Sequence, residues 1–454
     1  MRFRDLCTKF QHSIVFLFEF VMYAACLATF FLLFAIDNPE ITRLSRTAAV
    51  TLSTFVIMLL FLTYIYGRYD AGRRKWGQVA LSLSITLIIA DLVTYLELSI
   101  MKTNEANNTT FRLENIGILF IVFAIQIIVI ILMSIAGEKF YFWIHPKEHC
   151  LIVTGDVKEA ERVSLALGSF EKRYEVRGII SYEDADLEKR MVENDTIVLY
   201  ELPVEERTKI IDFCYQNLKN IYFNPHIADI LEQNSRQVIM DDISLFSTRY
   251  HMITFEERLV KRFMDTFISL VALIITSPIL LVSAIAIKKN DGGKVFFRQK
   301  RATVHGRVFE IIKFRTMHEN VENFSSTEGD DRITKVGKVL RKYRIDELPQ
   351  FVNILKGDMS LVGPRPEMLE NVEDYEKDLP EFRYRLRMKA GLTGLAQIYG
   401  KYNTTSRDKL MLDLMYIENY SLFRDIQLLF QTIFVLFRAE DSTKAFEKDE
   451  TKQG

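Results

Sequence analysis

The sequence predicts a membrane α/β protein in three parts: four N-terminal transmembrane helices, a degenerate Rossmann-like cytosolic domain, and a C-terminal α+β domain anchored by a re-entrant membrane helix. Three observations carry this. Four apolar runs of about twenty residues fill the first 140 positions. Strand-like and helix-like stretches then alternate over residues 147–250. A fifth apolar run, 259–287, has lysine or arginine at both ends and a proline past its middle. The expected divisions are 1–140, 147–250 and 251–454.

The first four runs are 13–36, 48–66, 79–100 and 116–136. Each is long enough for a hydrocarbon core of about 30 Å. Lipid offers no partner to backbone N–H and C=O groups, so each run should be a helix. A signal peptide would have a shorter apolar stretch and a small-residue cleavage site, which the first run lacks. Orientation follows from the cations. Arg2, Arg4 and Lys9 precede the first run, and Arg68, Arg73, Arg74 and Lys75 follow the second. The opposite loops carry only Arg43, Arg46, Lys102 and Arg112. The bias puts both ends of the block in the cytoplasm. Asp91 falls inside the third run, where a carboxylate is either functional or pairs helices. Asn107, Asn108 and Thr109 spell a chance glycosylation sequon.

In the middle part, 151–154, 176–181 and 196–200 are β-rich, and 158–167 and 204–218 are helical. That alternation predicts a parallel sheet. The first turn reads Thr154-Gly155-Asp156-Val157-Lys158. A dinucleotide site needs G-x-G-x-x-G there, so that backbone can approach a pyrophosphate. With one glycine, the expectation is a domain that binds no nucleotide and serves oligomerisation or regulation.

The fifth run is flanked by Lys261 and Arg262 and by Lys288 and Lys289. Positive charge at both ends favours one side of the membrane for both. Pro278 removes a backbone donor and bends the helix, and the Ser277 hydroxyl can take up the freed carbonyl. A helix that enters one leaflet and returns satisfies both facts. A plain kinked span would carry everything after it across the membrane. Asp265 stands three and four residues after Arg262 and Lys261, the spacing of a helix-surface ion pair.

Short β-rich strings follow, with cations interleaved: 295–301, then 309–317 with Lys313 and Arg315. Such cations suit phosphates or anionic lipid headgroups. Asp346 and Glu347 are adjacent acids, closely preceded by Arg341, Lys342 and Arg344. Neighbours on a helix lie about 100° apart. Such a pair divides labour well, one carboxylate as nucleophile and the other on magnesium. Most isolated Asp-Glu pairs are solvated surface. Gly363-Pro364-Arg365-Pro366 pre-sets the direction of an arginine, as an anion clamp requires.

The ordered series Lys261-Arg262-x-x-Asp265, Ser277-Pro278, Lys313-Phe314-Arg315-Thr316-Met317, Asp346-Glu347-Leu348-Pro349-Gln350, 356–366 (KGDMSLVGPRP) and Thr393-Gly394-Leu395-Ala396-Gln397 resembles the bacterial sugar transferase family. These are monotopic phosphoglycosyl transferases that initiate exopolysaccharide, capsule and O-antigen units. The likeness covers about residues 255–440, and the N-terminal parts resemble the large members that use undecaprenyl phosphate with glucose or galactose. The resemblance implies a catalytic C-terminal domain with Asp346 as nucleophile and Glu347 its partner at Mg2+. It also implies phosphate or substrate contacts for Lys313, Arg315, Arg341, Arg365 and Asp413, the last at a further motif position. It implies a UDP-sugar, undecaprenyl phosphate and the bilayer as partners, with a homodimer expected. The place would be the cytoplasmic face of a bacterial inner membrane. One departure is Ala390-Gly391, where the family usually has Pro-Gly, so the loop is less stiffened.

The rival readings are a catalytically inactive membrane scaffold or regulator of polysaccharide assembly, and a polytopic sugar-phosphate transferase. The second needs its acids in loops between spans, and the apolar runs here do not carry them. A net charge of −1 gives no field for nucleic acid. Cys7, Cys26, Cys150 and Cys214 form no CxxC pair, so disulfides and zinc are not expected. His145 and His149 lack a third ligand nearby. Residues after about 439 are charged and expected to be loose.

Overall fold

The computed structural model describes Cys7 and residues 10–105, 113–248, 253–318, 332–400 and 404–437, except 68, 71, 73 and 114. The sequon, the charged tail, and Arg2, Arg4, Lys9, Arg68, Arg73 and Arg112 lie outside the described residues. The chain divides into two compact units, Met1–Asn224 and Pro225–Gly454.

The first unit begins with four apolar helices: α1 (Gln11–Phe34), α2 (Arg46–Tyr66), α3 (Trp76–Glu105) and α4 (Ile116–Ile144). Among the described residues they and one later helix are long and apolar enough to cross a membrane. Inside the bundle the rings of Phe30, Phe34 and Phe55 interlock. Outside, large apolar side chains such as Phe16, Leu32, Leu60 and Phe120 stand exposed. Water would penalise that outward face and hydrocarbon does not. Asp91 is buried against Gln126, whose Nε2 donates to it at 3.4 Å and to the Cys26 carbonyl at 3.1 Å. That links three helices, as a helix-pairing residue would.

A four-stranded parallel sheet follows in the order β2 (Tyr174–Ser181), β1 (Glu148–Thr154), β3 (Thr196–Tyr200), β4 (Asn220–Phe223). Helices α5 (Val157–Gly168), α6 (Leu187–Val192) and α7 (Val204–Gln216) connect the strands. Cys150, Leu151, Ile152 and Val153 are all buried, the pattern of a strand covered on both faces. A dinucleotide would lie at the ends of β1 and β3. There a Cβ on Gly155 would come within 2.7 Å of the Glu201 carbonyl, and the Asp156 carboxylate itself accepts the Lys158 N–H at 2.9 Å. The crevice is narrow, and its helix terminus already carries an anion.

The second unit starts earlier than residue 251. Helix α8 (Ile227–Glu232) and the hairpin of β5 (Arg236–Met240) and β6 (Ile243–Ser247) belong to it rather than to the α/β part. Ile230 packs in the same core as Leu410, Leu414 and Ile417, and Asn234 donates to the Glu418 carbonyl at 2.8 Å.

Helix α9 (Phe255–Asp291) then runs for 37 residues. Thr254 and Glu257 form a capping box at its start, and Gly292, in the left-handed region, ends it. Pro278 leaves the Ile274 carbonyl without its N–H partner, and the Ser277 hydroxyl donates to it at 2.8 Å. Thr276 likewise donates to Ala272 at 2.7 Å. The expected Asp265 ion pair does not form. Lys261 is buried, hydrogen-bonded to Asp425 and to the Val362 carbonyl. Arg262 donates to the carbonyls of Ile354 and Leu355 at 2.6 and 2.7 Å. Asp265 accepts the Leu361 N–H at 3.0 Å. Buried partners from distant sequence displace the local pair, because a solvated i,i+4 pair contributes little. Past the proline, Leu280, Ala284 and Ile287 pack on Phe314 and Leu340. Both halves of α9 therefore rest on one unit.

The rest comprises the hairpin β7 (Phe296–Ala302) and β8 (Val308–Phe314), helices α10 (Lys335–Lys342) and α11 (Gln350–Lys356), and the short parallel pair β9 (Ser360–Val362) and β10 (Gly391–Thr393). Helices α12 (Leu369–Asp378), α13 (Leu395–Tyr399), α14 (Ser406–Glu418) and α15 (Leu422–Phe437) complete it. Replacing Lys261 by Met leaves Asp425 buried without its counter-charge. The expected cost is about 3–5 kcal/mol, read as a fall of roughly 10 °C in the detergent melting temperature by circular dichroism. An unchanged melting curve would contradict the buried pair.

Candidate active site

The acid pair owes its place to a tight succession of turns. Thr334 caps α10 by accepting the Gly337 N–H at 2.9 Å, and its own N–H donates to the Thr316 carbonyl at 3.0 Å. A Cβ at Gly337 would stand 2.0 Å from that carbonyl, so only glycine allows α10 to lie on the end of β8. Arg341 Nε donates to Thr316 Oγ1 at 2.9 Å. The chain then turns at Arg344, left-handed with φ 53°, into a single 3-10 turn, Ile345–Glu347. Successive residues of such a turn diverge by about 120°, so the two carboxylates face different surroundings.

Glu347 meets cations. Lys313 Nζ, on β8, donates to Glu347 Oε1 at 2.8 Å, and Arg365 donates to the same oxygen at 3.2 Å. Burial alone would raise this carboxyl, but Lys313 and Arg365 outweigh it and hold Glu347 well below the usual range. Asp346 is pushed the other way. Burial, and after it the charge of Glu347, raise it to about 6 against the pull of Lys313 and Arg341. One acid is thus held as an anion and its neighbour is raised to about 6, the divergence expected of acids with separate roles.

Arg365 leaves β9 through Gly363 and Pro364. Gly363 and Gly391 allow close passage here: a Cβ on Gly363 would meet the Lys389 carbonyl at 2.2 Å. At the position where the family usually has proline, the Ala390 N–H donates to Thr303 Oγ1 at 3.1 Å, a tie proline could not make. Beneath the loop lies a buried charge network that sequence reasoning did not assemble. Asp413 stands 2.6 Å from Arg385, while Glu367 faces Arg385 at 3.9 Å and Lys409 at 3.4 Å. Burial raises the Asp413 carboxyl to about 6 despite Arg385. Asp413 therefore supports the site from behind and does not join the acid pair. The only signal in sequence was the spacing of Arg383, Arg385 and Arg387, which a basic surface would equally give.

Arg315, expected to meet phosphate, is committed elsewhere. Its guanidinium makes a bidentate pair with Asp291, and its Nε donates to the Lys294 carbonyl at 2.6 Å. It fastens the end of α9 to the hairpin. Strand alternation would have put Lys313 and Arg315 on one face, but β8 ends at Phe314 and the chain turns. Ser277 and Pro278, expected to break the helix, lie inside α9, which continues as one helix through them.

Magnesium needs few protein ligands, taking one or two carboxylates together with phosphate oxygens and waters. No group of three His, Cys, Asp or Glu side chains able to hold a metal occurs among the described residues. A single ionised carboxylate beside a second acid nevertheless fits a magnesium shared with a phosphorylated substrate.

The two arginines should separate on mutation. Arg315→Gln removes a buried guanidinium's bonds to Asp291 and to the Lys294 carbonyl and should lower stability by about 2 kcal/mol. Arg365, whose side chain is 45 % exposed, should cost under about 1 kcal/mol as Gln. Thermal melting of both variants in detergent checks this, and equal losses would contradict the assignment.

Residues 256–439 match the sequence model of the bacterial sugar transferase family. A UDP-N-acetylgalactosamine-undecaprenyl-phosphate N-acetylgalactosaminephosphotransferase of Aeromonas hydrophila is 43% identical over 38% of this chain and 43% of its own length. A UDP-glucose:undecaprenyl-phosphate glucose-1-phosphate transferase of Caulobacter vibrioides is 38% identical over 40% of this chain and 71% of its own length. An exopolysaccharide production protein of Sinorhizobium fredii is 38% identical over 38% of this chain and 83% of its own length. The match spans less than half of the Aeromonas relative but most of the other two, and the residues of the family model include the acid pair. The chain belongs to the bacterial sugar transferase family.

Proposed function

We propose that this protein transfers a sugar-1-phosphate from a UDP-sugar to undecaprenyl phosphate through a covalent aspartyl phosphosugar, releasing UMP, as the first step of exopolysaccharide, capsule or O-antigen assembly. The observation that carries the reading is the acid pair. Glu347 is held ionised between Lys313 and Arg365 while Asp346, beside it, is raised to about 6. The relatives' names supply the substrates.

In the first step a carboxylate oxygen of Asp346 attacks the β-phosphorus. The bond to the bridging oxygen breaks, and UMP leaves with that oxygen and its electron pair. In the second step an oxygen of undecaprenyl phosphate attacks the same phosphorus. The acyl phosphate bond breaks, giving sugar-diphospho-undecaprenol and free Asp346. Burial makes Asp346 less solvated and readier to attack. Lys313 and Arg365 supply fixed positive charge where the phosphoryl oxygens gain negative charge. Arg341, one donor already tied to Thr316, biases Asp346 toward its ionised form. Bound magnesium, held by Glu347 and shared with the phosphates, would add Lewis-acid stabilisation of the same charge.

Membrane placement supports the reading. A spanning α9 would separate its ends by the bilayer, yet residues on both sides of Pro278 pack on this one unit. A re-entrant helix, cytoplasmic at both ends, explains that and the cations at each end. It sets the acid pair near the headgroups, where a soluble sugar nucleotide and a lipid phosphate can both arrive. An inactive scaffold would have no need of carboxyls shifted in opposite directions at Asp346 and Glu347.

With protein in nanodiscs, undecaprenyl phosphate, magnesium and a panel of UDP-sugars, UMP release is expected with one sugar. Asp346→Asn should reduce it at least about 1000-fold, and chelation should abolish it until magnesium is restored. Release unaffected by Asp346→Asn would overturn the mechanism. Topology has its own test: single cysteines at Glu256 and Lys289, in a chain cleared of native cysteine, should both label from the cytoplasmic side. Labelling from opposite sides would mean that α9 crosses.

A further inference from the structure

The loop that presents Arg365 has no free carbonyl over three successive residues. The Pro364 carbonyl accepts the Gly391 N–H at 2.9 Å. The Arg365 carbonyl accepts from Arg385 at 2.8 Å. The Pro366 carbonyl accepts from Arg301 at 3.2 Å. Two of the three donors are arginines held inside the unit. Arg385 is only 4 % exposed at its side chain. A guanidinium is not buried without a reason, since desolvating it costs several kcal/mol unless charge and hydrogen bonds compensate. Here Asp413 at 2.6 Å and Glu367 at 3.9 Å supply the charge, and the guanidinium carbon lies over the Phe382 ring, 4.7 Å from its centroid. Lys409 in turn steadies Glu367. Arg385 does not contact Asp346 or Glu347 in any hydrogen bond or ion pair of the described residues. What it does hold is the backbone of Arg365, which donates to Glu347.

We propose that Arg385, charge-balanced by Asp413 and Glu367, is a positioning residue that aims Arg365 at the Glu347 side of the acid pair. Prolines on either side of Arg365 already remove most backbone freedom. Rotation of the peptide plane at Arg365 is the freedom that remains, and the Arg385 hydrogen bond removes it. A displacement of an ångström at such a site costs large factors in rate. The inference rests on the phosphoryl-transfer reading for its kinetic arm, and has a second arm that does not.

The test uses the full chain in nanodiscs and four proteins besides the native one: Arg385→Gln, Asp413→Asn, Arg365→Gln, and Arg365→Gln with Arg385→Gln. Amide hydrogen exchange over residues 361–368 requires no turnover. Arg385→Gln should raise it at least about tenfold while the α9 peptide around Arg262 stays unchanged. Exchange at 361–368 equal to the native protein overturns the proposal, whatever the reaction proves to be. For UMP release, Arg385→Gln should lower kcat/KM by about 10- to 100-fold in the native background but under about threefold once Arg365 is Gln, because residues acting through one another are not additive. The same fold-loss in both backgrounds overturns positioning and leaves a structural role. If Arg385→Gln does not fold, Asp413→Asn, of nearly the same shape, should show the same two signatures more weakly, and their absence overturns the proposal. No UMP from native protein with any UDP-sugar defeats the reaction reading alone, and the exchange arm then decides this inference.

Discussion

Lys261 stands near the start of a long apolar helix with its ammonium buried between Asp425 and the Val362 carbonyl. The attachment of the helix to the rest of the unit follows from that burial. A lysine in such a place must have a full set of acceptors. Those acceptors fix the helix against β9 and α15, and Asp265 and Arg262 extend the attachment to Leu361 and to the end of α11. Tyr416 donates to Asp425 at 2.6 Å and completes the coordination from α14. Four elements remote in sequence thus converge on one charge.

The same attachment reaches the chemistry. β9 is held on one side by the base of α9 and continues directly into Gly363, Pro364 and Arg365. On its other side Arg385 and Arg301 hold the loop's carbonyls. The arginine that meets Glu347 is therefore carried on backbone fixed from a membrane helix and from a buried ion network at once. On the proposed reaction, with one substrate from water and one from lipid, linking the anchor to the site without a flexible segment would keep the reacting groups at constant depth. Preorganised charge is the main resource of phosphoryl transfer, and rigidity here is what preserves it.

Two adjacent carboxylates with opposite shifts illustrate how little the side-chain type decides. Glu347 reaches Lys313 and Arg365 and stays ionised; Asp346, one position earlier on the same 3-10 turn, is buried beside a fixed anion and rises to about 6. The left-handed residue Arg344 and the glycine at 337 are what set the turn. In the first unit, by contrast, the turn at Gly155 passes close to the Glu201 carbonyl, and the Asp156 carboxylate caps the helix that follows.

The sequence by itself determined the apolar helices and the parallel strands, because those depend on local composition and periodicity. It also determined the motif residues Asp346, Glu347, Lys313 and Arg365, which one family's spacing marks together. It did not reveal the Arg315–Asp291 pair, since strand alternation stops one residue before Arg315, and it misplaced Asp265, since a local helix pair competes poorly with buried partners. It drew the domain boundary near 250, because nothing local says that Ile230 joins a core built from residues beyond 400. The Lys261–Asp425 pair spans 164 positions and the Arg385–Asp413 pair is equally silent in sequence. Pairing energies of buried charges depend on desolvation and on distance across the fold, and only the tertiary structure fixes either.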